Sequence, residues 1–88
     1  MKLDFNFNLK DLDGNDIQGG EAGKIVANLL AQGSKGDALK FWDWALKINQ
    51  KKVIDVEISD ASLLESFIKD HEGLPVLTKA QLLLVFKK

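Results

Sequence analysis

The chain's only histidine, His71, stands between Asp70 and Glu72, and an imidazole flanked by carboxylates has the groups needed to move protons. Covalent catalysis would also need a thiol or an activated hydroxyl within reach. The chain has no cysteine, and its serines form no strand-turn-helix elbow. The triplet falls at the end of a predicted helix, where a cation interacts favourably with the helix dipole. His71 therefore reads as a helix-end residue, and no catalytic residue is assigned.

Asp11, Asp13, Asn15 and Asp16 have the oxygen donors of a calcium loop, so their spacing is the test. With Asp11 first, the sixth position, which requires glycine, is Asp16, and the twelfth, which requires glutamate, is Ala22. A start at Leu9 restores Gly14 but loses the first and last ligands. The cluster reads as an acidic turn, and no metal ligand is assigned. Asp55 and Glu57 share one face of a short strand, a spacing typical of a solvent face.

Gly19, Gly20, Gly23 and Lys24 suggest a phosphate loop only superficially. That loop needs Gly, four residues and Gly-Lys-Ser/Thr, whereas Ile25 follows Lys24 and Gln18 stands at the first glycine. The glycine pair reads as a flexible joint before a helix, with Gly23 allowing close packing. No cofactor or small-molecule substrate is assigned.

Lys40, Trp44 and Lys47 place one aromatic among lysines, in the manner of a single-strand stacking platform. Such platforms use several rings in a basic groove, whereas the 12 basic and 13 acidic residues here give a net charge of −1. All of the basic residues are lysine, so the arginine fork that reads guanine edges and phosphates is missing. Composition thus argues against nucleic-acid binding. Trp44 reads better as an interface anchor.

These side chains depend on elements that the apolar periodicity defines. The 88 residues are 45% apolar and 28% charged, an ordinary folded composition that suffices for one domain over residues 1–88. A single core of this size contributes a stability of about 3–5 kcal/mol without staples or partners, so self-association is a natural supplement. The lack of cysteine points to an intracellular setting. The N-terminus has no signal-peptide pattern and no apolar run reaches membrane-spanning length, which predicts no membrane association.

Leu3, Phe5, Phe7 and Leu9 alternate with polar residues, predicting one half-buried strand. Leu12-Asp13-Gly14-Asn15 supplies a turn, and a return strand at 16–18 closes a hairpin. Residues 21–32 repeat apolar side chains at helical spacing. Gly33, Ser34, Lys35 and Gly36 form a tight connection to a second helix over 36–50. A short strand is predicted near 53–58, available to the hairpin as a third strand. A third helix opens at Ser59 or Asp60, with Ser62 and Glu65 as an alternative capping box. It ends near His71, and Pro75 starts a fourth. The fold class expected is α+β, a hairpin packed on about four short helices.

The second helix carries both tryptophans. Phe41, Ala45, Ala38, Trp42, Leu46 and Leu39 form one arc at 100° per residue, which assigns Trp42 to the core and leaves Trp44 on the flank. The last helix is apolar on more than one side. Its second side is a candidate partner surface, with packing against the hairpin as the alternative. The candidate interface residues are Trp44, Leu82, Val85 and Phe86.

The Phe5-Asn6-Phe7 strand with Leu12-Asp13-Gly14 and the helices containing 27–31, 36–48 and 78–83, together with the acidic-apolar stretch over 53–58, resemble small bacteriophage and prophage proteins. The resemblance implies a phage or prophage origin and a place in the bacterial cytoplasm. It carries no catalytic or ligand residue. The expected function is a non-enzymatic accessory protein acting through protein contacts or self-association. The alternatives are a nucleic-acid-associated regulator using Trp44 and the lysines, and a small enzyme with an unrecognised site.

Overall fold

The computed structural model describes residues 1–34 and 36–87. Lys35, part of the expected tight connection, and Lys88 lie outside the described residues. The elements are β1 (Lys2–Leu3), β2 (Asn8–Lys10), β3 (Asp16–Glu21), α1 (Ala22–Gln32), α2 (Ala38–Asn49), β4 (Ile54–Asp55), α3 (Ile58–Lys69) and α4 (Val76–Leu83). A 3-10 turn at Leu84–Lys87 follows α4. The fold is α+β, with two antiparallel strand pairs and four α-helices among the described residues.

The first strand is interrupted, not continuous. Asp4 accepts the Asn6 amide at 2.9 Å, and the Phe7 amide donates to the Phe5 carbonyl at 3.0 Å. This local bonding competes with the strand ladder, as short acidic side chains commonly do. The two halves find different partners: β1 pairs with β4, and β2 pairs with β3. The strand expected near 53–58 thus exists at its centre but forms a separate two-stranded ladder. Ile58 already belongs to α3, and Ser62 lies inside that helix rather than capping it. The inward alternation survives the break, since Leu3, Phe5 and Leu9 are all buried.

The β2–β3 hairpin turns at Asp11, whose carboxylate accepts the Asp13 and Asn15 amides, both at 2.9 Å. Gly14 has φ +84°, a conformation that glycine adopts without a Cβ penalty. The return strand runs on to Glu21, so Gly19 and Gly20 lie in β3 and not in a joint outside it. They form part of a bulge in which Asn8 faces Glu21 while Lys10 faces Asp16. The Asn8 side-chain amide donates to the Ile17 carbonyl within it. Gly20 is fixed by space, because a Cβ there would lie 2.9 Å from the Ile17 carbonyl oxygen.

Gly23 sits in the first turn of α1, where a Cβ would be 3.4 Å from the carbonyl oxygens of both Phe5 and Ile48. Its smallness lets the helix lie close on the N-terminal segment and the end of α2. Asp37 caps α2 by accepting the Leu39 and Lys40 amides. At the other end the Lys52 amide donates to the Lys47 carbonyl and the Lys51 amide to the Ile48 carbonyl, both at 3.0 Å. This is the paired bonding of a helix stop that usually places glycine in the left-handed region. Lys51 occupies that position with φ +64°. Lys51→Gly is expected to stabilise the domain by about 1 kcal/mol, the left-handed penalty less the entropy of glycine. A urea titration checks it: the midpoint rises at unchanged slope, and a lowered midpoint would refute the strain argument.

The C-terminal segment seats against the hairpin. The Gln81 side-chain amide accepts from the Lys10 backbone N–H at 2.9 Å and donates to the Lys10 carbonyl at 2.8 Å, closing both backbone groups of an edge-strand residue. Leu82 and Val85 are buried, and Phe86 meets the Phe5 ring edge-on at 6.2 Å. The helix ends at Leu83 and tightens into the 3-10 turn, which changes the side-chain spacing and brings Leu82 and Val85 inward together.

Candidate functional site

Helix α2 carries two overlapping apolar arcs. Phe41, Trp44, Ala45 and Ile48, spaced i, i+3, i+4, i+7, are buried. Trp44 stacks on Phe41 at 5.6 Å with an interplanar angle of 29°. Phe67 of α3 packs edge-on against the other part of Phe41 at 5.1 Å. Gly36 makes room for this cluster, since a Cβ there would come within 2.5 Å of the Phe41 ring.

The assignment of the two tryptophans is therefore reversed from the expectation. Trp44, the expected interface anchor, is 6% exposed, and Trp42, assigned to the core, is 55% exposed. Leu39 and Leu46, also assigned to the core, are exposed with it. The single arc drawn from sequence covers parts of both faces, because apolar residues occupy more than half of the helix circumference. Packing by α1, with Phe67 of α3 against Phe41, selects the 41/44/45/48 face. The other three expected interface residues are drawn inward too: Leu82 and Val85 are core, and Phe86 is half-buried against it. With Trp44 inside, no base can stack on the ring that the nucleic-acid alternative relied upon.

What α2 presents outward is Leu39, Trp42 and Leu46, spaced i, i+3, i+7 along one side. Ala31 and Ala38 join Trp42 around a shallow depression of about 250 Å³ at the α1–α2 junction. The charges bordering this stripe on α2 are matched within the chain. Lys47 pairs with Asp43 one turn away at 3.0 Å, and Lys40 pairs with Asp60 of α3 at 2.9 Å.

The Asp60 hydrogen bond, reinforced by its charge, holds the Lys40 ammonium above the usual lysine range. A raised folded-state pKa means the contribution to stability is complete below the unfolded value and fades as pH rises through the folded one. A small difference in stability between the wild type and Lys40→Gln is thus expected at neutral pH and should close at strongly alkaline pH. Denaturant titrations across that range test it. A gap that persists undiminished would assign the effect to packing of the lysine stem.

The remaining sequence candidates scatter. His71 lies just past α3, donates its backbone amide to the Ile68 carbonyl and accepts the Gly73 amide on Nδ1 at 3.1 Å. It thus organises a turn at the helix end. The ring lines an open groove of about 740 Å³ with Phe41, Leu63, Ser66, Phe67 and Glu72. Asp16 pairs with Lys10 across the hairpin, and Asp11 is engaged with backbone amides. Among the described residues, no group of three or more His, Asp or Glu side chains is placed to hold a metal ion. Asp55 faces the N-terminal ammonium at 3.4 Å, while Glu57 stands at the N-cap of α3. No described helix is long and apolar enough to cross a membrane.

The stripe was present in the sequence as the 39/42/46 spacing, but that spacing alone does not say which of two apolar faces a helix will bury. No family model matches the chain, and neither a curated protein nor a solved structure matches it.

Proposed function

We propose that the protein is a non-enzymatic accessory protein of a phage or prophage that acts in the bacterial cytoplasm through protein contacts. The observation that carries the contact reading is the Leu39–Trp42–Leu46 stripe. A tryptophan exposed between two leucines on a rigid, capped helix has the composition of an interface centre. The matched ion pairs beside it form a polar border. The phage setting is supported by the whole-chain resemblance of the sequence and by that alone.

The contact reading is tested by comparing the wild type with Trp42→Glu in affinity capture from bacterial lysate, followed by titration of each captured protein in purified form. Binding that the wild type shows and Trp42→Glu loses, with unchanged circular dichroism, agrees with the reading. Retention of every association by Trp42→Glu would show that the stripe is not the contact surface.

A further inference from the structure

We infer that residues 76–87, helix α4 with the 3-10 turn after it, form a strap that opens as a unit while the rest of the fold stays intact, and that Gln81 is its latch. The inference stands apart from the protein-contact reading above, because it uses neither α2 nor its apolar stripe.

The latch is a side chain acting as a strand. The Gln81 amide offers one acceptor and one donor, and it meets the Lys10 N–H at 2.9 Å and the Lys10 carbonyl at 2.8 Å, as a peptide group of a neighbouring strand would. The outer edge of β2 is thereby covered at Lys10 by one side chain and not by a ladder of backbone bonds. Both bonds are exposed, so water competes with them directly. Among the described residues, no other side chain of 76–87 hydrogen-bonds to another element.

The strap has little stability of its own. Helix α4 has 8 residues, fewer than the ~12–15 at which an isolated helix becomes even marginal in water. Pro75 at its N-cap supplies no side-chain hydrogen bond, its first turn has no acidic residue and its last turn no basic one, so neither terminus is compensated. Leu82 is the one buried residue of α4 and Val85 the one buried residue of the 3-10 turn, while Val76 and Leu84 face solvent. Helix α2, by contrast, is capped by Asp37 and buries Phe41, Trp44, Ala45 and Ile48. Elements with few buried contacts and exposed hydrogen bonds are those that open below the global unfolding free energy. The turn that His71 organises with the Gly73 amide separates this segment from α3. Opening therefore returns both backbone groups of Lys10 to water at the edge of the sheet and parts Phe86 from Phe5.

Native-state hydrogen exchange of the full chain over a series of low denaturant concentrations tests the strap. The amides of Lys79 and Leu84, which bond back to the Pro75 and Ala80 carbonyls, should exchange together with the Lys10 amide. Their common opening should have a smaller denaturant slope than that of the Leu29 and Leu30 amides in α1, because less surface is exposed. Gln81→Met keeps an unbranched stem and comparable helix propensity but removes donor and acceptor. It should speed exchange of all three strap-class amides about ten-fold, the loss of ordinary hydrogen bonding.

Ala45→Gly separates local from global opening. Ala45 is buried on α2, which packs closely on α1, and glycine there should speed exchange of the Leu29 and Leu30 amides roughly five-fold through helix propensity alone. The Lys10, Lys79 and Leu84 amides should keep their wild-type rates. A single exchange class with one slope for all five amides, Ala45→Gly accelerating both classes alike, or Gln81→Met leaving Lys79 and Leu84 unchanged would each overturn the inference.

Discussion

Trp44→Ala is expected to unfold the domain, and Trp42→Ala to leave it folded. The two residues lie on the same helix two positions apart, with the same side chain, yet Trp44 is buried and Trp42 more than half exposed. Removing a buried tryptophan costs about 3–5 kcal/mol through lost transfer free energy and the cavity left behind. That equals the whole stability of about 3–5 kcal/mol expected for one unstapled core of this size. The loss also propagates, because Trp44 stacks on Phe41 and Phe41 holds Phe67 of α3.

Trp42→Ala removes a ring that is already half solvated, so the monomer should lose about 1–2 kcal/mol, well below the loss at Trp44. Thermal melts by circular dichroism read the difference, at about 4–8 °C per kcal/mol for a domain of this length. Emission gives an independent check, since the tryptophan left in Trp42→Ala should report an apolar environment. Equal melting temperatures for the two variants would refute the assignment of faces on α2.

The second large effect is expected at Leu82. Its side chain is fully buried in the cluster that also contains Leu3, Phe5 and Val85, so Leu82→Ala should cost about 2–5 kcal/mol. The neighbouring Gln81 closes both backbone groups of Lys10, so loosening α4 should also release the edge of β2. Amide exchange at Lys10 should accelerate beyond the change seen at buried helix amides of α1. A Leu82→Ala protein of wild-type stability, with an altered oligomeric mass, would instead return Leu82 to an interface.

Much of the architecture was legible in the chain. The alternation from Leu3 to Leu9 specified which side chains face inward, and they do so even though the backbone breaks at residues 4–7. Turn chemistry located the hairpin tip at Leu12–Asn15, because those signals act within four or five residues of the chain. The helix over 21–32 and the proline before α4 were similarly local. Gly19 and Gly20 were misplaced because a bulge is a property of a strand pair, and the pair is not visible in either strand alone.

The interaction surface was the least legible part. Sequence established that α2 is apolar around most of its circumference and that the last helix carries more apolar surface than one side can bury. Periodicity ranks faces by their own composition, and on both helices two faces ranked almost equally. The tertiary structure decided between them. Packing of α1 on α2, with the Phe67 ring of α3 against Phe41, left Trp44 buried and Trp42 outward, and the Gln81–Lys10 clamp seats the segment that carries buried Leu82 and Val85. That choice is made by the residues each face meets, such as Phe67 for Phe41 and Phe5 for Phe86, which lie far away along the chain. Local sequence therefore determined which segments become helices and strands, and long-range packing determined which apolar residues remain available to a partner.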